Sequence, residues 1–189
     1  MDAPLEPIPV LQDLASYALP PDWTPGVSRG RQILWFVAGS PLLASRWLPG
    51  SAWRCWLLKA FGAQLGLGCR VKPGLRVKFP WRLTVGAHCW LGEDAWIDNL
   101  ACVTLGDRVV LSQGVYLCTG NHNYRDPSFA LRAQPIALAN DVWVGARAVV
   151  APGTVVGAGA VIGLATVVSG VVPFRAVVRG NPGQITGQR

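Results

Sequence analysis

The chain has 189 residues, of which 51% are hydrophobic and only 14% charged, and its net charge is +7. Charged residues normally make up about a quarter of a soluble domain, so extended disorder is excluded and much surface is expected to be buried, part of it between subunits. Nucleic acid, a polyanionic cofactor or an anionic membrane surface would each account for the positive balance. No lysine-rich tail or nucleic-acid motif supports the first, and no nucleic-acid partner is expected.

Residues 1–28 are proline-rich and start acidic, without the basic start and apolar run of a signal peptide. They read as an extended arm. Residues 29–45 and 51–62 read as two short helices broken at Pro49-Gly50, so that 1–62 forms an arm and a helical cap. In the cap, Trp35, Phe36, Trp47, Trp53 and Trp56 alternate with Arg29, Arg31, Arg46, Arg54 and Lys59. This composition suits a lid over the first coil of the next domain, or contact with a membrane interface. The longest uncharged apolar stretch is shorter than the ~20 residues that span a bilayer. The five cysteines are odd in number and lack CxxC spacing, so reduced thiols and no metal site are expected. A cytoplasmic protein, peripheral to a membrane at most, is the expectation.

From residue 63 an aliphatic residue recurs every six positions, usually followed by a small one. The clearest run is Leu138-Ala139, Val144-Gly145, Val150-Ala151, Val156-Gly157, Ile162-Gly163 and Val168-Ser169. Upstream, Val85-Gly86, Leu91-Gly92 and Ile97-Asp98 lead into Leu105-Gly106, Leu111-Ser112 and Leu117-Cys118, and a weaker set begins at Leu65-Gly66. Six matches neither the helical period of 3.6 nor the strand period of 2. It suits a short strand plus a turn, three of which close one triangular coil, and coils stack at the ~4.8 Å strand spacing. The small second residue is read as relieving the tight turn. The fold class is therefore an all-β solenoid, a parallel β-helix of about five coils over 63–172, with 173–189 as a C-terminal tail. The first two coils carry two extra residues each, at 77–85 and 97–105, as if at one shared corner.

From Leu117 to Leu138 there are about fifteen residues more than a hexad needs, so the loop 119–137 must leave the coil, and long excursions from regular folds usually carry function. Of the two histidines, His88 lies in an ordinary hexad and is expected to be exposed and structural. His122 lies in the excursion and is the one side chain placed there to act as a base near neutral pH. Cys102 and Cys118 read as corner fillers rather than nucleophiles. The pairs Gly66-Leu67-Gly68 and Gly157-Ala158-Gly159 lack the third glycine of a dinucleotide fingerprint and are turn glycines.

Five stretches carry a resemblance that covers nearly the whole chain: Lys78-Phe-Pro-Trp-Arg-Leu-Thr-Val-Gly86, Ile97-Asp-Asn-Leu100, Ser112-Gln113, Tyr116-Leu-Cys-Thr-Gly-Asn-His122 and Arg179-Gly-Asn-Pro182. With the hexads they resemble the left-handed β-helix, hexapeptide-repeat acetyltransferases, nearest to those of colanic acid and exopolysaccharide biosynthesis. The resemblance implies a homotrimer with acetyl-CoA as co-substrate in the groove between neighbours, no metal, and direct O-acetyl transfer to a sugar or glycan precursor with His122 as general base. It implies an acceptor contact at Asn99 and cofactor contacts at Ala146, Leu164, Ser169 and Gly170; Asn121 and Tyr124 are further expected acceptor contacts, and Arg175, Arg179 or Arg189, with Arg179 the expected one, would have to meet the cofactor phosphates. Two departures stand out. Ala146 replaces a serine, and the arginines that meet the cofactor phosphates fall on Gln184 and Gly187. Competing readings are a non-catalytic β-helix that serves as scaffold or binding module, and an acyltransferase for serine or a sugar-nucleotide amine. A γ-class carbonic anhydrase needs three zinc-binding histidines and is excluded by a chain that has two.

Overall fold

The computed structural model describes residues 12–189; residues 1–11 of the expected arm lie outside the described residues. The chain divides into two compact units. One comprises residues 1–24 with 121–132, and the other 25–120 with 133–189.

The larger unit is a β-solenoid with three parallel faces. The first face stacks Gln64–Leu65, Leu83–Val85, Val103–Leu105, Ile136–Leu138, Val155–Val156 and Val171–Val172. The second runs from Arg70–Val71 to Ala176–Arg179, and the third from Arg76–Val77 to Val167–Val168. The hexad residues are in register: Val71 sits opposite Leu91, Leu91 opposite Leu111, Leu111 opposite Val144, and Val144 opposite Ile162. These five residues are at most about 1% exposed, and each fully buried aliphatic side chain contributes roughly 1.5–3 kcal/mol of transfer free energy.

From the third hexad on, each buries two side chains rather than the one expected. The residue two before the aliphatic one also points inward, as in Leu75 with Val77, Cys89 with Leu91, Val109 with Leu111 and Val142 with Val144. The pleat of period 2 demands this within a short strand. These inner positions vary between Ala, Cys, Val, Leu and Thr, so their period is harder to read.

The small second residue has a different cause from the one expected. The left-handed backbone falls two residues later, at His88, Asp94, Arg108, Asp141 and Arg147 among others. The second residue is small because the next coil passes over it. A Cβ on Gly86 would stand 2.6 Å from the carbonyl carbon of Gly106 and from the Asp107 nitrogen, and one on Gly145 2.8 Å from the Gly163 carbonyl carbon and the Leu164 nitrogen.

The extra residues of the first two coils do share one corner, between the third and first faces. Asn99 braces it from within. Its Oδ1 accepts from the Phe79 N–H at 2.9 Å and its Nδ2 donates to the Phe79 carbonyl at 2.7 Å. One coil on, Thr119 Oγ1 donates to the Asp98 carbonyl and accepts from the Ala101 N–H. Five full coils are followed by a sixth, incomplete one. The stretch expected to be a tail supplies its second-face strand, Ala176–Arg179, and Gln184–Gln188 returns antiparallel to it.

The solenoid's first coil needs a cover, since an open end would expose its aliphatic columns. Helices α1 (Arg29–Leu34), α2 (Ser40–Ala44) and α3 (Ala52–Ala60) provide it, with a π-helical turn over Trp35–Gly39 joining the first two. Trp35, Leu43, Leu57 and Leu58 are buried in the core. Trp35 donates from Nε1 to the carbonyls of Val77 and Lys78, and Ser51 Oγ accepts from the Val71 N–H. The Phe-Pro-Trp segment is part of this seam: Phe79 packs against Trp81 and meets the edge of Phe36.

Candidate active site

The excursion leaves the solenoid after Thr119 and returns at Gln134, whose N–H donates to the Thr119 carbonyl at 2.9 Å and closes the neck. It is ordered by its own hydrogen bonds. Gly120–His122 and Leu131–Ala133 form a two-stranded sheet. The tip is a turn built on Asp126, whose Oδ1 accepts from the Ser128 N–H and hydroxyl and whose carbonyl accepts from the Phe129 N–H.

That turn aims the Phe129 carbonyl at His122. His122 Nδ1 lies 2.8 Å from it, and the two rings stack at 4.3 Å with 7° between their planes. A carbonyl only accepts, so Nδ1 carries the proton and Nε2 keeps a lone pair. The Tyr17 ring stands 5.9 Å from the imidazole. The half-buried His122 is thus held in one tautomer and one orientation. Asn121 accepts from the His122 N–H through Oδ1 and is exposed; Tyr124 is exposed beside Arg125. Phe129 was not singled out by the sequence. The Asp-Pro-Ser turn before it was the available signal.

The third face carries a ladder of outward side chains. Arg76 lies over Trp96, and Trp96 stacks on Tyr116 at 4.6 Å, with Val149 and Val167 following in register. Beside the ladder, the Tyr116 hydroxyl donates to Asp98 Oδ2 at 3.2 Å. Lys78 Nζ stands 3.0 Å from Asp98 Oδ1, a buried oxygen that accepts no directed hydrogen bond, so the ammonium supplies charge alone. Burial, the neighbouring Cys118 thiol and then Asp98 push the Tyr116 phenol well above its usual range, so it stays a proton donor at neutral pH.

The residues expected to meet the cofactor fall on the two edges of this same face. Ala146 and Leu164 occupy equivalent places in successive coils, joined by the Ala165 N–H to the Ala146 carbonyl, and the Arg179 side chain continues that edge beside Gly163. Ser169 and Gly170 lie on the opposite edge; both are exposed and Gly170 is left-handed. Asn99 is not brought to any surface. It is fully buried, and both ends of its amide are spent on Phe79. The polar side chain presented at that level is Asp98, its immediate neighbour. His88 is exposed, as expected.

Residues 82–118 and 135–169 match a family model described as the hexapeptide repeat of succinyl-transferase. The chain is 34% identical over 184 residues to an Escherichia coli K12 protein named as the colanic acid biosynthesis acetyltransferase WcaF, covering 95% of this chain and 98% of that one. The chain belongs to the hexapeptide-repeat acetyltransferase family. Further relatives of this acetyltransferase include the galactoside O-acetyltransferase of E. coli K12, 27% identical over 68% of this chain and 65% of that protein. Its fold matches a hexapeptide-repeat acetyltransferase of Vibrio cholerae solved with acetyl-CoA, with a TM-score of 0.75 and 23% identity over 85% of this chain and 86% of that one.

Proposed function

We propose that the enzyme transfers an acetyl group from acetyl-CoA to a hydroxyl of a sugar or polysaccharide precursor. The observation that carries this reading is the bond between His122 Nδ1 and the Phe129 carbonyl, which leaves Nε2 with a lone pair for the acceptor proton. As the acceptor oxygen attacks the thioester carbon, its proton passes to Nε2. The tetrahedral intermediate then collapses, the C–S bond breaks, and the imidazolium returns the proton to the leaving thiolate. The products are an O-acetyl ester and CoA, with no covalent enzyme intermediate.

The donor would lie along the third face between its two edges, against Ala146, Leu164 and Arg179 on one side and Ser169 and Gly170 on the other. Ala146 has no hydroxyl, so hydrogen bonding there falls to the main chain. A homotrimer would turn this open face into a groove walled by two copies. Asn121 and Tyr124 are the excursion's own polar groups for an acceptor; on the solenoid, Asp98 offers a carboxylate oxygen where the buried Asn99 offers nothing. A cytoplasmic setting accords with the supply of acetyl-CoA and with five unpaired thiols.

The test is incubation of the purified protein with acetyl-CoA and a panel of free, nucleotide-linked and lipid-linked glycan precursors, read by mass shift. A single O-acetyl addition that a base-labile ester accounts for is expected. An amide product, or CoA binding with no transfer to any hydroxyl, contradicts the reading.

A further inference from the structure

The helical cap is amphipathic in an inverted sense. Its run from Arg29 to Ala44 buries Trp35, Gly39 and Leu43 at i, i+4 and i+8. A surface helix ordinarily turns charge to the opposite side. Here that side carries Ile33, Leu34, Val37 and Leu42, exposed by 63%, 57%, 73% and 41%, and no residue between Arg31 and Arg46 is charged. The apolar strip continues into the loop after α2, where Trp47 is 94% exposed and Leu48 46%.

This loop is held out, not left loose. Arg54 is fully buried and has no carboxylate partner among the described residues; its guanidinium donates to four main-chain carbonyls, those of Leu43, Ser45, Leu48 and Gly50. Trp53 Nε1 adds a bond to the Pro49 carbonyl at 2.8 Å. A buried cation is thus used to fix a turn whose tip is an exposed tryptophan, an arrangement that gives the fold's own core nothing.

Charge is segregated around the strip. From Trp23 to Gly92 there are ten lysines and arginines and not one aspartate or glutamate, whereas the rest of the chain has seven against ten. Arg29, Arg46, Lys59, Arg70, Lys72 and Arg76 are exposed. Arg46 meets Asp94 from outside the segment.

We infer that the cap is a docking surface for an anionic lipid bilayer, with the strip from Ile33 to Leu48 entering the interface and the surrounding cations meeting the headgroups. Both halves of the patch need a partner that is anionic at its surface and apolar just beneath it. A second copy of the chain would bring two strongly basic surfaces face to face, each with Asp94 already paired to Arg46, which disfavours that occupant. Nucleic acid would satisfy the cations and leave the aliphatic strip in water. Among the described residues no helix is long and apolar enough to cross a membrane, so the cap would lie on the surface. Because the cap covers the first coil, docking would direct that end of the solenoid at the bilayer. The inference goes beyond the transfer reaction and does not depend on it.

The experiment is co-sedimentation of the full chain with vesicles of phosphatidylcholine alone and of phosphatidylcholine with about a quarter phosphatidylglycerol, near physiological salt. We expect at least roughly tenfold stronger partitioning onto the anionic vesicles, weakened by high salt. Val37→Asp and Trp47→Ser should each reduce it by about tenfold. Circular dichroism and transfer to a soluble acceptor should be unchanged in both variants, which separates lost docking from lost folding. Wild-type protein that stays in the supernatant with anionic vesicles, or Val37→Asp that partitions like wild type, overturns the inference. So does a Val37→Asp variant whose assembly loses mass, since a second copy would then have been the occupant. A protein that sediments with anionic vesicles but acetylates nothing would uphold the docking surface and reject the reaction.

Discussion

His122 and Phe129, seven residues apart in one loop, meet twice: the Phe129 carbonyl accepts a hydrogen bond from Nδ1–H at 2.8 Å and the two rings stack at 4.3 Å. The loop therefore brings its own orienting group for the base we propose, the role a carboxylate fills in a hydrolase triad.

The tautomer follows from that bond. In a long-range proton–nitrogen correlation spectrum taken where the ring is neutral, His122 should show a protonated Nδ1 and a bare Nε2, the less common form of free imidazole. A protonated Nε2 would leave no lone pair at the position the mechanism uses.

Phe129 has φ +51, a left-handed conformation that glycine adopts without strain. Phe129→Gly should keep the carbonyl and lose only the stacking, lowering kcat about threefold to tenfold with little change in the KM for acetyl-CoA. Phe129→Pro forces φ negative and removes the N–H that donates to Asp126. Its loss should approach that of removing the imidazole. Equal kinetics for the two variants would show that the carbonyl does not position the base.

Asn99 and Asp98 are neighbours with opposite assignments. Asn99→Ala removes both hydrogen bonds that the buried Asn99 amide makes with the Phe79 backbone, and should cost about 2 kcal/mol of stability in denaturant titration, with the acceptor KM unchanged. Asp98→Ala should raise the acceptor KM. The reverse outcome would return Asn99 to the acceptor site.

The second residue of the hexad is tested by two glycines. Gly86→Ala drives a methyl group into the Gly106–Asp107 backbone, which cannot yield, and should destabilise by about 1–3 kcal/mol. Gly187 has open space around it, and Gly187→Ala should change stability by less than about 0.5 kcal/mol. Thermal unfolding of the pair reads the difference.

Much of this was legible in the sequence, for reasons visible in particular residues. Leu91, Leu111 and Val144 face the same column from consecutive coils, so one steric demand repeats and leaves a period. The excursion was legible as a break in that period. The burial of Asn99 was not legible because only the backbone's path decides which of Asp98 and Asn99 turns inward at a corner with two extra residues. Phe129 escaped because its contribution is a main-chain carbonyl, which no residue type advertises. The sixth, partial coil escaped because Val172 follows Val168 by four positions, which breaks the count of six where the strands themselves continue.

The most direct test of the base is acetyl transfer by His122→Ala beside wild type, with CoA affinity measured on the same preparations. The account predicts unchanged folding and CoA binding, and a transfer rate lower by about two to four orders of magnitude. His122→Ala acetylating the true acceptor at the wild-type rate would contradict it.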